Sequence, residues 1–324
     1  VKVPLYKVPG MSREMMSYVH NKTNQPPTVV KRTSSTLERQ KEEQDSHSFA
    51  ITSVKWYSHD NGMFFTGSSD REVKIWDTNE FEVVQNFQLG YRVNQLDTKG
   101  DLVIVASEDT YPRVIDLKSM SNVISLGVKN KKMKFGINTA KFAPMGTDLV
   151  ASGDDDGNVR IWDLRKSNSM LYDLTEQDTL GKPHAKCCND LCWNPRLEDE
   201  LVTTGNDGKC KLWSWRNTSE PRCRLQLGGT NLMRNKYRMR TSHRLMWHDR
   251  YVFFNSDYGE ILLFRCDDGK VWNKFDYPLI TSEAGKTPRF QSMALETSMS
   301  NGIGMRLYLG TNDVHGQILE YQPS

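Results

Sequence analysis

Short runs of apolar and polar residues follow one another in a fixed order along most of this chain. The segment Ala50–Trp56 alternates, Met63–Ser69 is mostly apolar or small, Glu72–Asp77 alternates again and Phe81–Leu89 completes the set. Alternation with a period of two predicts half-buried strands, and a short apolar run predicts a strand with neighbours on both sides. Turn residues separate the runs, so the pattern predicts four consecutive antiparallel strands.

The same order of runs recurs at Gly136–Arg165 and at Cys188–Trp213. Five segments end in a similar phrase, often Trp-Asp, and a weaker sixth closes the chain. These segments are Asp70–Asp77, Asp109–Asp116, Asp156–Asp163, Asp207–Ser214, Tyr258–Arg265 and His315–Tyr321. Repeats of roughly forty to sixty residues that end in Trp-Asp are typical of a β-propeller built from four-stranded blades.

The fold that we predict is therefore all-β, a WD-repeat β-propeller over residues 49–324. About six blades are recognisable, five clear and one weak, whereas such propellers usually have about seven. In the second repeat Ile115 replaces the Trp, and a Tyr111-Pro112 pair falls in the expected third strand. Because proline cannot donate to a strand ladder, this repeat predicts an imperfect blade.

Residues 1–48 show no comparable repeat, and we expect an irregular N-terminal tail or linker. The Met-rich segment Pro9–Asn21 is a candidate for a short amphipathic helix, and a flexible tail is an equally good interpretation. The polar, charged stretch Lys31–Ser48 predicts a linker. The N-terminus lacks the apolar core of a signal peptide and does not begin with Met, so we expect a trimmed chain.

Two repeats carry His, Thr, Asp and Trp at matching positions. In each, Thr lies four residues before Asp, Asp lies six before Trp, and His lies nine before the Trp that ends the first strand. The two sets are His47, Thr66, Asp70 and Trp76, and His184, Thr203, Asp207 and Trp213. Because a buried indole N–H needs an acceptor, we expect a relay from Trp to Thr to His to Asp. Both histidines are then structural, with no catalytic or metal-binding role.

Composition is that of an ordinary globular protein, with 37% hydrophobic and 26% charged residues. The formal net charge of +3 does not by itself indicate nucleic acid as a partner. Since no run of about eighteen apolar residues occurs, we expect no contact with a membrane.

The six cysteines fall in or beside expected strands, and Cys187, Cys188 and Cys192 are close in sequence. Adjacent residues of a strand point to opposite faces, and no CxxC or paired His accompanies this group. We therefore expect reduced, buried thiols in an intracellular protein, with no metal and no cofactor.

Motifs of catalysis are absent from the sequence, including GxSxG, GxxxxGK[ST], HExxH and GxGxxG after a strand. The acidic run Asp154–Asp156 coincides with a turn that every blade needs, so a structural role explains it. We expect a protein that is not an enzyme.

Two basic clusters fall between expected blades, where loops present binding surface. They are Lys129, Lys131, Lys132 and Lys134, and Arg234, Lys236, Arg238, Arg240 and Arg244. Positive loops attract a nucleic-acid backbone or an acidic protein surface. A pair of solvated loops without a ligand is an alternative interpretation.

The segment Trp56–Asn79 resembles the corresponding blade of the Cockayne syndrome A family, and Ser107–Leu117, Val271–Pro278 and Arg289–Met293 are similar to its yeast member. The resemblance implies a substrate receptor of a cullin–RING ubiquitin ligase in transcription-coupled nucleotide excision repair. It implies nuclear localisation, with the ligase's propeller adaptor, the cullin and transcription-repair proteins near stalled RNA polymerase as partners. A generic scaffold of another nuclear complex and a nucleic-acid-binding propeller are the alternatives.

Trp162, Asp163 and Arg165 belong to a Trp-Asp-x-Arg sequence that resembles the motif of propellers that dock on this adaptor. The resemblance implies that these three residues bind the adaptor. An arginine can pair with a carboxylate through two parallel hydrogen bonds while its stem packs on a partner. A solvent-exposed arginine at the end of a strand is the simpler alternative.

Overall fold

The structure is a computed structural model. The residues that it describes are 17–19, 46–59, 61–119, 123–127, 133–166, 170–175, 181–215, 220–229, 232, 244–256, 258–276, 290–298, 304–311 and 318–322. Within these ranges there are strands, turns and bends but no helix. Accordingly, no helix in the described residues could span a membrane.

In the described part of the chain, twenty-four strands form six four-stranded antiparallel sheets, here called blades 1 to 6. Strand β1 (Ser17–Val19) precedes blade 1, which comprises β2 (Ile51–Trp56), β3 (Met63–Ser68), β4 (Glu72–Asp77) and β5 (Val83–Gln88). Blade 2 comprises β6 (Val93–Lys99), β7 (Leu102–Ser107), β8 (Arg113–Asp116) and β9 (Val123–Ser125). Blade 3 comprises β10 (Ile137–Phe142), β11 (Leu149–Asp154), β12 (Val159–Asp163) and β13 (Met170–Asp173).

The second half of the chain repeats this plan. Blade 4 comprises β14 (Cys188–Trp193), β15 (Glu200–Gly205), β16 (Cys210–Ser214) and β17 (Arg222–Leu227). Blade 5 comprises β18 (Leu245–His248), β19 (Tyr251–Asn255), β20 (Glu260–Arg265) and β21 (Val271–Asp276). Blade 6 comprises β22 (Phe290–Ser298), β23 (Gly304–Thr311) and β24 (Ile318–Gln322), with β1 as its fourth strand. The all-β architecture of four-stranded sheets confirms the fold class predicted from the repeats.

The N-terminal segment differs from the expectation at one point. Ser17–Val19 is not helical but pairs antiparallel with β24, with Tyr18 opposite Tyr321. The rest of the candidate helix lies outside the described residues. The edge strand of a three-stranded sheet has unpaired backbone N–H and C=O groups. A strand from elsewhere in the chain satisfies these groups when it pairs with that edge.

Blade 2 is as complete as its neighbours, although its sequence predicts an imperfect blade. Tyr111 and Pro112 precede β8 instead of lying in it, so the proline interrupts no ladder. Ile115 is 1% exposed and fills the place that Trp takes in other blades.

The blades have two ends, which we name by their connections. The first rim contains the turn between the second and third strands and the connection that enters the first strand. The second rim contains the other two turns of each blade. Blades 1 to 5 keep the same orientation, because hydrogen bonds join the starts of the successive innermost strands β2, β6, β10, β14 and β18.

Successive blades bury their apolar faces against one another. One core lies between blades 1 and 2, and further cores follow between each later pair, up to blades 5 and 6. Trp162 and Trp213 are fully buried in these cores. By contrast, Trp56 on the face of blade 1 that points away from blade 2 is 57% exposed.

The innermost strands are also joined by polar contacts. A bulge near the start of each of three strands releases one side chain, at Thr52, Asn94 and Asn138. Each donates to a backbone carbonyl at the start of the next innermost strand, at 2.8, 2.8 and 3.1 Å respectively. These bonds repeat from blade to blade because bulges reorient side chains at defined positions.

Asp190 on β14 is a hub of contacts between blades. Its carboxylate lies 3.0 Å from Lys141 Nζ of blade 3 and accepts hydrogen bonds from Gln95 of blade 2 and from the Leu245 N–H of blade 5. A single side chain can touch residues of blades 2, 3 and 5 only if the innermost strands converge on a shared axis. This convergence is the arrangement that a propeller requires.

Candidate functional site

Blade 4 contains the complete His-Thr-Asp-Trp set in hydrogen-bonded form. The Trp213 indole N–H donates to the Thr203 hydroxyl at 2.9 Å, and Thr203 lies 2.8 Å from His184 Nε2. His184 Nδ1 lies 3.1 Å from the Asp207 carboxylate. This pattern assigns the proton of a neutral His184 to Nδ1, where it is donated to Asp207, and leaves Nε2 to accept from Thr203.

Blade 1 contains the same contacts, but its relay residues are less buried than those of blade 4. Trp76 donates to Thr66 at 2.7 Å, Thr66 lies 2.6 Å from His47 Nε2, and His47 Nδ1 lies 2.7 Å from Asp70. His47 thus packs into blade 1, although the expected tail extends to residue 48. Together with Glu72, His47 and Asp70 present ligand-type atoms within 4.8 Å of one another. Both ring nitrogens of His47 are already engaged, so this group serves the relay.

The turn carboxylates of both relays are held in their charged form. Burial raises the pKa of Asp207, but hydrogen bonds from His184 and from two backbone N–H groups outweigh it, so that the pKa lies below its usual value. The same balance, with His47 as the partner, lowers the pKa of Asp70. A charged carboxylate is the stronger acceptor, which fixes the turn to the incoming strand.

Sequence reasoning missed one further member of each relay. Lys211 lies two residues before Trp213 and donates to the Pro183 carbonyl at 2.6 Å, directly before His184. Lys74 does the same for the Ser46 carbonyl before His47, at 3.0 Å. In the sequence, the signal for this additional member is a lysine at the same position of two repeats, within strands that are otherwise mostly apolar.

Blade 3 contains only part of the relay. Trp162 donates to the Ser152 hydroxyl at 2.8 Å, and Ser152 lies four residues before Asp156, as Thr203 lies before Asp207. Asp154 in the same acidic run is buried and bonds Arg160 and Asn158. The run therefore holds a turn, as expected.

The Trp-Asp-x-Arg sequence ends strand β12 on the second rim of blade 3. Trp162 is fully buried and Asp163 is 2% exposed, whereas the Arg165 side chain is 67% exposed. Arg165 pairs with Asp163 through two parallel bonds, Nε to Oδ1 and Nη2 to Oδ2, each at 2.9 Å. The carboxylate that pairs with this guanidinium therefore belongs to the same motif, and the buried Asp163 fixes the position of the exposed arginine.

The charge of Arg165 acts on the carboxylate beneath it. Hydrogen bonds from Arg165 lower the pKa of Asp163 to about 2, against the opposing effect of burial. In turn, Asp163 raises the pKa of Arg165. Because a guanidinium has five N–H donors and only two serve the Asp163 carboxylate here, the remaining donors can serve a partner.

An open groove lies beside Arg165 on the second rim, between blades 3 and 4. Its volume is about 420 Å³. The residues that line it are Met145, Thr147, Leu149, Arg196, Leu197, Glu198, Asp199 and Trp215. Asp148, next to the groove residue Leu149, lies 3.9 Å from Arg165, which places the arginine near the groove.

Blade 5 provides a comparison on the same rim. Arg265 pairs with Asp268 through Nε and Nη2, and its guanidinium also lies 5.3 Å from the centre of the Trp272 ring. Its surroundings resemble those of Arg165, except that it follows Phe264 and is not part of a Trp-Asp-x-Arg sequence.

The predicted basic surface falls largely outside the described residues. Of the nine residues in the two basic clusters only Lys134 and Arg244 are described, and Lys134 is exposed. Those outside are Lys129, Lys131, Lys132, Arg234, Lys236, Arg238 and Arg240. Arg244, the last residue of the second cluster, is partly buried, and its charge contributes to lowering the pKa of Asp190.

All six cysteines are free, with four buried and two partly buried. Burial raises the pKa of Cys188 and Cys210 well above the usual value and that of Cys266 to about 12. The thiolate is the reactive form, so burial keeps these groups inert.

Comparison with protein families matches this chain to the WD domain, G-beta repeat. The matches cover residues 39–77, 130–163 and 176–214, which correspond to blades 1, 3 and 4. These are the three blades in which a Trp-Asp or Trp-Ser ending follows an Asp turn.

Comparison with curated proteins shows extended similarity to Radiation-sensitive protein 28 of Saccharomyces cerevisiae, with 37% identity over 92% of this chain and 65% of that protein. WD repeat-containing protein ATCSA-1 of Arabidopsis thaliana is 29% identical over 44% of this chain and 32% of that protein. Histone-binding protein MSI1 of S. cerevisiae is 24% identical over 50% of this chain and 39% of that protein. The chain thus spans less than two thirds of these relatives.

The resemblance to the Cockayne syndrome A family, first noted in a few segments, extends along most of the chain. The repeats, the six sheets and the relays agree with this similarity. The chain contains WD repeats, and along most of its length it is similar to Radiation-sensitive protein 28, the yeast counterpart of the Cockayne syndrome A protein.

Proposed function

We propose that this protein is a substrate receptor of a cullin–RING ubiquitin ligase that acts in transcription-coupled nucleotide excision repair in the nucleus. In this role it performs no reaction. It brings a target protein near stalled RNA polymerase close to the ligase, and proximity is its whole contribution to catalysis.

Similarity to Radiation-sensitive protein 28 over 92% of the chain supports a role in DNA repair. The partial match to ATCSA-1 points in the same direction. The more specific part of the proposal is docking on the propeller adaptor of the ligase. The single observation that supports it is that the Arg165 side chain is 67% exposed while its guanidinium is bonded to the buried Asp163 carboxylate.

The geometry around Arg165 suits docking for a physical reason. Long side chains lose rotamer freedom when they bind, and this cost weakens an interface. Here the two bonds to Asp163 have already fixed the guanidinium in the free protein. The adjacent groove, with Met145 and Trp215 in its lining, offers apolar contact area around the charge.

The experiment that tests this proposal is capture of the ligase adaptor from nuclear extract by the full chain. We expect the wild type to retain the adaptor and the cullin. Arg165→Glu should weaken capture at least about tenfold, because the reversed charge faces both Asp163 and the partner. Binding should be measured again with purified adaptor.

Arg265→Glu is the matched control, since it reverses an arginine with the same kind of carboxylate partner on the same rim. Equal loss with both variants would show that the effect is a general loss of positive charge and would remove the support from Arg165. If the correctly folded wild type captures no adaptor, a scaffold role in another nuclear complex becomes the better explanation.

A further inference from the structure

The Lys99 side chain of blade 2 reaches into the neighbouring blade on the second rim. Lys99 is the last residue of β6, and its ammonium donates to the Ala143 carbonyl at 2.7 Å and to the Thr147 carbonyl at 2.6 Å. The Met145 carbonyl accepts a third hydrogen bond from it. All three acceptors belong to residues 143–148, the connection between β10 and β11, which we call the blade 3 turn. An ammonium has three N–H groups, so this one turn accepts a bond from each of them.

The blade 3 turn has few hydrogen bonds of its own. The Ala143 N–H donates to the Leu149 carbonyl at 2.9 Å, next to the strand ends. Residues 144–147, all of them in the described part of the chain, form no backbone hydrogen bond with one another. Around Gly146 there is open space, since an added Cβ would meet no atom within 4 Å. Carbonyls without a partner in the backbone need another donor, and Lys99 supplies it here.

The corresponding turn of blade 4 is held by a side chain of its own. Asn194 accepts a hydrogen bond from the Arg196 N–H at 2.9 Å and donates to the Glu200 carboxylate at 2.8 Å. Its backbone N–H also donates to the Glu200 carbonyl at 3.0 Å. Both turns line the groove between blades 3 and 4. One turn is therefore fixed within its own blade, whereas the other is fixed by Lys99 from blade 2.

The blade 3 turn also leads directly to the Arg165 site. Met145 and Thr147 of this turn line the groove. Asp148, at the end of the turn, has its carboxylate 3.9 Å from Arg165 Nε. Lys99 is not among the described residues that line the groove, so its effect on this surface must pass through the turn.

We propose that Lys99 is a positioning residue for docking of the ligase adaptor, because it fixes the turn that presents Met145 and Asp148 near Arg165. The inference rests on the proposed function, since it assigns a role in the same adaptor-binding surface. Without the ammonium, the three carbonyls would bond to water and the turn would lose its fixed shape in the free protein. A partner that docks on a fixed turn does not have to order it, so less conformational entropy is lost on binding.

The first test is the affinity of the full chain for purified adaptor, measured by isothermal titration calorimetry. Lys99→Leu should bind about tenfold more weakly, because the freed turn must be ordered again on docking. Lys99→Arg should stay within about threefold of the wild type, since a guanidinium can also donate to several carbonyls. Lys118→Leu is the matched control, because Lys118 follows the third strand of blade 2 on the same rim but pairs with Asp101. It should bind like the wild type.

A pair of variants separates positioning from a general loss of stability. Met145→Ala keeps the carbonyl that Lys99 bonds and removes the side chain that the turn presents to the groove. It should weaken adaptor binding about threefold when Lys99 is present. In the Lys99→Leu background it should have almost no effect, because the freed turn no longer presents that side chain. Equal effects in both backgrounds would contradict a positioning role.

The turn can also be followed without the adaptor, by NMR of protein labelled at the methionine methyl carbons. The Met145 signal, identified by its loss in Met145→Ala, should move towards the shift of free methionine in Lys99→Leu but not in Lys118→Leu. The proposal is overturned if this signal does not move, or if Lys99→Leu binds the adaptor like the wild type. Adaptor binding that Lys99→Leu leaves unchanged refutes the positioning role alone. If the wild type does not bind the adaptor, the receptor role is refuted, and the docking role of Lys99 with it.

Discussion

The Lys141 ammonium lies 3.0 Å from the Asp190 carboxylate, where the innermost strands of blades 3 and 4 meet. The Asp190 side chain is fully buried and that of Lys141 is 15% exposed. Burial alone raises the pKa of Asp190, yet the charges of Lys141 and Arg244 and the bonds from Leu245 and Gln95 bring it below its usual value. For Lys141, whose pKa burial would lower, Asp190 raises it. Both groups are therefore charged in the folded protein.

Replacing one partner of this pair should destabilise the protein strongly. Asp190→Ala leaves a buried ammonium without its counter-charge, which costs about 3–5 kcal/mol. Urea unfolding measures this change. The double variant Asp190→Leu with Lys141→Met should recover only part of the loss, because it removes the unpaired charge but leaves the Gln95 amide and the Leu245 N–H without their acceptor. Lys118→Ala, which breaks the exposed pair with Asp101, should change stability little. If the Asp190 and Lys118 variants are equally stable, the hub at Asp190 does not hold the blades together.

Thr203→Val should weaken blade 4 through the loss of one hydroxyl. The substitution leaves the Trp213 indole N–H without its acceptor and His184 Nε2 without its donor, in a site closed to solvent. An unsatisfied buried polar group costs about 1–3 kcal/mol, so thermal unfolding should shift clearly. Ser152→Ala is the comparison, because Ser152 serves only the Trp162 indole. A larger effect for Ser152→Ala would contradict the relay as the source of stability.

The Asp163 carboxyl should titrate near pH 2 in the wild type. Its folded pKa lies below the unfolded value of about 3.9, so the pair with Arg165 stabilises the fold above about pH 4 and this contribution is lost as the pH falls towards 2. Arg165→Gln should raise the Asp163 pKa into the ordinary range, which a ¹³C NMR titration of labelled aspartate detects. Asp268, which Arg265 holds at a pKa of about 2, should not change and serves as the internal control.

Trp56 and Trp193 end the first strands of blades 1 and 4, and their burial differs sharply. Trp193 is 4% exposed and donates to the Lys141 carbonyl, whereas Trp56 is 57% exposed. Trp193→Ala should cost about 3–5 kcal/mol, as expected for a large aromatic removed from a core. Trp56→Ala should cost much less in urea unfolding. Equal costs would mean that the open face of blade 1 is covered in solution.

Local spacing was enough to place the relays. Thr203 and Trp213 lie on neighbouring strands and Asp207 lies in the turn between them, so their positions in sequence determine which side chains can meet. The bounds of β4 follow directly from the pattern, and the outer strand β5 is three residues shorter than the predicted run, because its ends belong to turns.

The Asp190 hub could not be predicted in the same way. Its partners Gln95 and Leu245 lie 95 and 55 residues away in sequence, and they meet only because several blades share an axis. The pairing of Ser17–Val19 with β24 is likewise a contact between distant parts of the chain, and no local periodicity encodes it. Sequence pattern thus reports contacts within a blade well and contacts between blades poorly.

The bonds of Thr52, Asn94 and Asn138 to carbonyls of the next blade have a mechanical consequence. Apolar faces alone tolerate slippage, but a directional bond at each of the three junctions among blades 1 to 4 resists it. A force applied to one of these four blades is therefore transmitted to the others instead of being absorbed by sliding between them. Two partner molecules bound at the two rims of these blades would therefore keep a fixed distance and a fixed angle to each other.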